Sequence, residues 1–167
     1  MMVSLIQSNY MGFGSGVVVP DTGISLQNRG AGFTTTPGHA NTVGPGKRPF
    51  QTIIPGFLTR DGAPIGPFGV MGGHMQPQGH LQLILATVDD GLDPQAALGR
   101  PRWYWHTGRQ VLAEPSLDVS DLRERGHEVN VIEERGVFGM GQAIWRLHDG
   151  GYVAGSEPRA DGQAAAF

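Results

Sequence analysis

The chain has 167 residues, enough for one domain of ordinary size, and its 39% hydrophobic share suits a soluble globular protein. A formal net charge of −3 leaves no basic footprint for nucleic acid or for an anionic membrane surface, and the absence of cysteine excludes disulfides and thiol chemistry. Charged residues make up only 16% beside 27 glycines and 12 prolines, which predicts many loops and backbone-lined turns.

The opening residues, Met2 to Ser8, alternate apolar and polar, the period of a half-buried strand. A strand so near the start needs partners, so the domain, residues 1–167, is expected to be incomplete at its N-terminus. No basic-then-apolar leader opens this sequence, and the longest apolar stretch, Leu81 to Val88, is too short to span a bilayer. The compartment stays open. Residues 9–16 form a glycine-rich loop, followed by short apolar segments at Val17–Val19 and Ile24–Leu26 and a long polar stretch from Gln27 to Pro49. Thr52–Thr59 and Ala63–Met71 read as strands joined at Asp61-Gly62, with Pro55 marking an edge position or a bulge.

After Gly72-Gly73 the period becomes helical. Leu81, Leu85 and Val88, with Leu83 and Ile84, predict a largely buried helix ended by Gly91, and Asp93-Pro94 predicts the start of a second. Trp103–Trp105 and Gln110–Glu114 read as strands, Val119–Arg125 as a short helix closed by Gly126. Glu128–Ile132, Gln142–Leu147 and Tyr152–Ala154 read as further strands, with a tight turn at Asp149-Gly150-Gly151. The pattern is that of one α+β domain without repeats or linkers.

Few segments carry chemistry by themselves. The loop Asn9-Tyr10-Met11-Gly12-Phe13-Gly14-Ser15-Gly16 lacks the following helix that a phosphate loop requires, because Val17-Val18-Val19-Pro20 comes next. Met71-Gly72-Gly73-His74 sits where a strand meets a helix. Its two amides suit a developing oxyanion, and a corner that needs glycine sterically explains it equally well. Lys47-Arg48 reads by itself as a solvated turn or a structural ion pair. His74 and His80, six apart, do not share a helix face, and no metal or other cofactor is implied. Arg102-Trp103-Tyr104-Trp105 fits half-buried core and sheet edge better than base stacking. Asp89, Asp90 and Asp93 fit helix ends and caps, and Thr34-Thr35-Thr36 a loop.

In order along the chain, FGSGVVVPDTGISLQNR, GPGKRPFQTIIP, GVMGGHMQPQGH, VDDGLDPQAAL and PRW make the sequence resemble the small-subunit region of the γ-glutamyltranspeptidase family of N-terminal nucleophile hydrolases. The resemblance runs from Val3 to Arg159. It implies the C-terminal part of a four-layer αββα sandwich, an α+β fold. It also implies acyl transfer from γ-glutamyl or related acyl amides through a threonyl ester, the threonine being freed by self-cleavage and activated by its own amine.

Residue by residue, Gly72 and Gly73 match the oxyanion-hole glycines. Asn9 resembles the asparagine that binds the glutamyl head group, and Gln51 and Thr52 match the serine pair that binds its carboxylate. Gln7 lies near where the family has a threonine assisting the nucleophile. Arg29 stands where an acidic or amide residue is usual, and Gly32 where many members hold the aspartate that pairs with the substrate ammonium. The segment from Phe33 to Gly44 leaves little room for a lid loop. Because no catalytic threonine stands ahead of Met1-Met2, this polypeptide alone is expected to have no turnover. Its partner would be a large-subunit-like segment or a second chain, with no nucleic acid or membrane. The rival expectation is a non-catalytic remnant that binds a ligand or another chain.

Overall fold

Residues 1–166 are described by a computed structural model, and they divide into two compact units, Met1–Leu5 with Ile54 onward and Ile6–Ile53. In the first, the expected hairpin joins β1 (Gly56–Arg60) to β2 (Ala63–Met71) through Asp61-Gly62. Strand β1 begins only after Pro55, which has no N–H to give a ladder. It lies at the edge of a four-stranded antiparallel sheet of order β1-β2-β6-β7, and its register slips between Leu58 and Thr59. Strands β6 (Met140–Arg146) and β7 (Tyr152–Ser156) complete that sheet. Along β6, Gly141, Ala143 and Trp145 are buried while Gln142, Ile144 and Arg146 are exposed, the alternation of a sheet covered on one face.

Two helices cover it, α1 (Gln76–Val88) and α2 (Pro94–Gly99). Asp93 caps α2 by accepting the Ala96 N–H at 2.9 Å, and Pro94 fills the first turn, as the sequence predicts. The buried face of α1 differs from the expected one. Gly79, Leu83 and Ala86 turn inward, whereas Leu81, Leu85 and Val88 are about half exposed. The small residues win because they let the helix approach the sheet closely: a Cβ on Gly79 would sit 2.7 Å from Cγ1 of Val70. Val70, Leu83, Ala86, Ala97, Leu98, Ala143 and Trp145 form the resulting core.

A second sheet has the order β3-β4-β5, with β3 (Trp103–Thr107) antiparallel to β4 (Gln110–Ala113) and β4 parallel to β5 (Glu128–Val131). The free side of β3 is closed by side chains of α1. Gln82 accepts from the Trp103 N–H at 3.1 Å and donates to the Trp103 carbonyl at 2.9 Å, and Gln78 does the same with Trp105 at 2.7 and 3.1 Å. Four residues of helix advance about 6 Å and two of strand about 6.6 Å, so the two carboxamides match alternate strand residues. A short helix, α3 (Ser120–Glu124), precedes β5 and ends toward Gly126.

The unit Ile6–Ile53 is mostly loop. Val17–Val19 and Ile24–Leu26 meet as one antiparallel bridge, with Val19 N to Ile24 O and Leu26 N to Val17 O both at 2.9 Å. A 3-10 turn spans Arg29–Gly32, and a parallel bridge joins Thr34 to Thr42. Residues 2–8 alternate in exposure, but with Val3 and Leu5 turned outward, and they carry no β-ladder, so the expected opening strand is not formed. A strand needs a backbone partner; here Ser4 makes only a side-chain bond, Oγ to the Phe68 carbonyl at 2.9 Å.

Candidate functional site

Gly72 and Gly73 lie where β2 gives way to α1. Their φ angles are +142° and +58°, values that L side chains rarely adopt, and a Cβ on Gly72 would press to 3.0 Å on the Cα of Gly139. The corner therefore requires glycine at Gly72 for space as well as conformation. The Gly72 carbonyl accepts the Met75 N–H at 3.1 Å, opening the 3-10 turn Gly73–Met75 that runs into α1. Met75 anchors the turn in the interior while both glycines stay partly exposed. Just ahead, the Val70 N–H donates to Nε2 of His80 at 2.9 Å. Burial lowers the His80 pKa, favouring the neutral imidazole that can accept this bond. His80 thus closes the end of β2 onto its helix.

Behind the corner is a buried ionic network that sequence reading missed. Arg102 and Glu157 meet at 2.9 Å with both side chains almost fully buried, and Arg159 bridges Glu157 at 2.6 Å to Glu114 at 2.5 Å. Burial alone would raise Glu114, yet hydrogen bonds from Arg159 and the Arg102 N–H, aided by both guanidinium charges, hold it below the usual carboxylate value. Arg102 is lowered by burial, which the neighbouring Glu157 partly offsets. Nη1 of Arg102 donates to the carbonyls of Phe138 and Gly139, at 3.0 and 3.2 Å. Gly139 is the residue on which Gly72 rests, so the network fixes the floor of the glycine corner.

In the other unit Arg29 organises a pocket. Asn28 donates from Nδ2 to the carbonyls of Met11 and Gly14 and accepts the Met11 N–H, which closes the glycine-rich loop. That loop holds Tyr10 at φ +77° with its ring 4.9 Å from the Arg29 guanidinium carbon. Arg29 is only 3% exposed. Its Nη1 donates to Thr52 Oγ1 at 2.8 Å and its Nε to Gln27 Oε1 at 3.0 Å, while Nη2 is buried with no hydrogen-bond partner. Gln27, Arg29, Gly30, Arg48, Pro49 and Gln51 line a pocket of about 570 Å³.

The structure therefore brings Arg29 and Gln51 together at this pocket and sets the buried Thr52 behind them. Asn9 does not line it; its side chain accepts from Gln7 Nε2 at 3.3 Å and its carbonyl takes the Asn28 N–H. Gly72 and Gly73 belong to the other unit. Gln27 and Arg48 were not legible as pocket residues, nor Tyr10 as the ring beside Arg29. The pair Lys47-Arg48 divides its labour: Lys47 Nζ donates to the carbonyls of Ala40 and Thr42, a structural role, whereas Arg48 lines the pocket. Gly32 lies beside the chain at Pro49 and Phe50, and its carbonyl accepts from Asn41 Nδ2.

Comparison with known proteins places this geometry. A family model described as gamma-glutamyltranspeptidase matches residues 1–167. The chain is 37% identical over 171 residues to the glutathione hydrolase-like YwrD proenzyme of Bacillus subtilis, covering 97% of this chain and 33% of that protein. It is also 37% identical over 177 residues to the oxamate amidohydrolase proenzyme of Klebsiella pneumoniae, covering 100% of this chain and 33% of the relative. The crystal structure of cephalosporin acylase from Bacillus halodurans superposes with a TM-score of 0.90 at 59% identity, over 97% of this chain and 31% of that one. The chain thus spans about a third of the length of the curated relatives it matches. The fold is α+β, of the N-terminal nucleophile hydrolase type, in its C-terminal part. By the family model and by these relatives, the chain belongs to the γ-glutamyltranspeptidase family, a family of enzymes.

Proposed function

We propose that this chain supplies the oxyanion-stabilising glycines and the acyl-binding loops of an acyltransferase or amidohydrolase that cleaves γ-glutamyl or related acyl amides through a threonyl ester. The observation that carries the reading is the Gly72-Gly73 corner. Two adjacent positive-φ glycines, partly exposed and leading into a helix, form a rigid turn at which backbone amides can meet the charge that develops on a carbonyl oxygen. Gly72 and Gly73 take that role. Arg29, Gln51 and Thr52 take the acyl group, Thr52 acting partly through the hydrogen bond it receives from Arg29.

The nucleophilic threonine, with its free amine as base, is assigned to a part of the protein outside these 167 residues, since the relatives are about three times as long. These residues alone then have no turnover, and the domain they form is one part of a larger catalytic body. Support for amide cleavage comes from relatives named as a glutathione hydrolase-like enzyme, an oxamate amidohydrolase and a cephalosporin acylase.

The test is to produce the protein at its full natural length and follow anilide release from γ-glutamyl and other acyl anilides. Gly72→Ala is expected to lower kcat by roughly 100-fold or more with KM little changed, the range seen when an oxyanion donor is displaced. A folded full-length protein that cleaves no acyl amide would leave the chain a ligand- or partner-binding remnant.

A further inference from the structure

We infer that His80 is a positioning residue for the oxyanion corner: its neutral ring holds the Gly72-Gly73 turn in place, and a proton taken up on that ring releases it. Acid then slows acyl transfer through a group that touches neither the substrate nor the nucleophile. This rests on the function proposed above and adds a control of the same site.

The device begins at the edge of the sheet. Strand β1 pairs with β2 only as far as Gly56 opposite Phe68, so no ladder partner stands opposite Val70 on that side. Val70 is fully buried, and its N–H would be an orphan there. Nε2 of His80 takes that N–H at 2.9 Å, reaching from α1 to β2. Residues 70–80 thereby form a loop closed at its base, with Gly72 and Gly73 near its tip. Gly79 packs against Val70 beside the bond, and the Phe68 ring meets the imidazole edge-on at 5.0 Å.

A neutral imidazole has one ring nitrogen free to accept, whereas an imidazolium carries a hydrogen on both. Protonation therefore sets N–H against N–H and leaves Val70 without an acceptor. Burial lowers the His80 pKa, and no charged neighbour contributes to the shift. From Gln76 to Val88 α1 has no second titratable side chain; Arg60, Asp61 and Arg146 lie towards the opposite end of the sheet, and His74 stands ahead of the helix on the corner itself. A catalytic donor misplaced by about 1 Å forfeits about 100-fold in rate, so opening the base of the loop is enough to slow the reaction.

The experiment follows kcat for an acyl anilide cleaved by the full-length protein from pH 8 to pH 5, with folding checked by circular dichroism at each pH. The threonine amine alone gives an acid limb that falls about one log unit per pH unit. With His80 the limb is expected to steepen to about two, KM changing little. His80→Gln puts a carboxamide oxygen that does not titrate in the place of Nε2, and is expected to return the limb to about one. His80→Leu offers no acceptor and is expected to turn over at least tenfold more slowly than His80→Gln at pH 8. His74→Gln is expected to keep the steep limb. A wild-type limb that never exceeds one overturns the inference without any variant, as does a steep limb that persists in His80→Gln or vanishes in His74→Gln.

Hydrogen exchange separates this inference from the reading beneath it. Corrected for the intrinsic rate, protection of the Val70 amide is expected to fall at least tenfold between pH 7 and pH 5 in the wild type and to hold in His80→Gln. That pattern in a folded full-length protein that cleaves no acyl amide overturns the reaction and leaves the coupling of His80 to the corner standing. Turnover with a single limb and protection independent of pH overturns the coupling and leaves the reaction standing.

Discussion

Replacing Glu157 by glutamine tests the buried network with almost no change in shape. The Glu157 carboxylate is fully buried and receives four hydrogen bonds: from Arg102 Nη2 at 2.9 Å, Arg159 Nη1 at 2.6 Å, the Arg159 N–H at 3.3 Å and the Gly141 N–H at 2.7 Å. Two arginines and two glutamates balance in this network, and Glu157→Gln leaves one positive charge without compensation. At an effective dielectric of about 20, a unit charge pair about 4 Å apart is worth about 4 kcal/mol, and breaking buried pairs typically costs about 3–5 kcal/mol. The expected loss is therefore about 4 kcal/mol, or a Tm lower by roughly 10 °C for a protein of this size. Chemical denaturation of Glu157→Gln, Arg102→Gln and the double variant gives the coupling directly. The double variant restores neutrality, so its loss should fall short of the summed single losses by about 2 kcal/mol. A Glu157→Gln loss below about 1 kcal/mol, or strictly additive variants, would refute the reasoning.

Two further outcomes follow from the same geometry. Gln82→Ala should remove two of the hydrogen bonds that close β3 onto α1, destabilising the protein by about 1–3 kcal/mol; faster hydrogen exchange at the Trp103 amide would localise the effect, and an unaltered exchange rate there would count against it. Burial depresses the His80 pKa, so unfolding takes up a proton in mild acid: the stability from its neutral ring is present above about pH 6.5 and is lost as pH falls through the lower folded value. His80→Gln should therefore flatten the fall in Tm between pH 7 and pH 5, whereas parallel Tm profiles would show that His80 does not cause it.

The hairpin at Asp61-Gly62 and the capped start of α2 were legible because each depends on residues adjacent in sequence. The inward face of α1 was not. Leucines at 81 and 85 drew the eye by hydrophobicity, but closeness of approach to β2 favoured Gly79 and Ala86. The glycine pair at the end of β2 was visible from its motif, and its positive φ angles agree with the need for glycine there. Arg29 and Gln51 were also singled out, yet their pocket also includes Gln27 and Arg48, which no local spacing connects.

Family, fold class and the glycine corner were thus set within the sequence itself, because short motifs and local backbone preferences encode them. Which charges are buried, and with what, was decided only by the tertiary structure. Glu157 reaches Arg102 across fifty-five positions, and Thr52 lies twenty-three from Arg29. The charge balance of a buried site depends on every group that folding brings within a few ångströms, and neither residue type nor chain order gives that set.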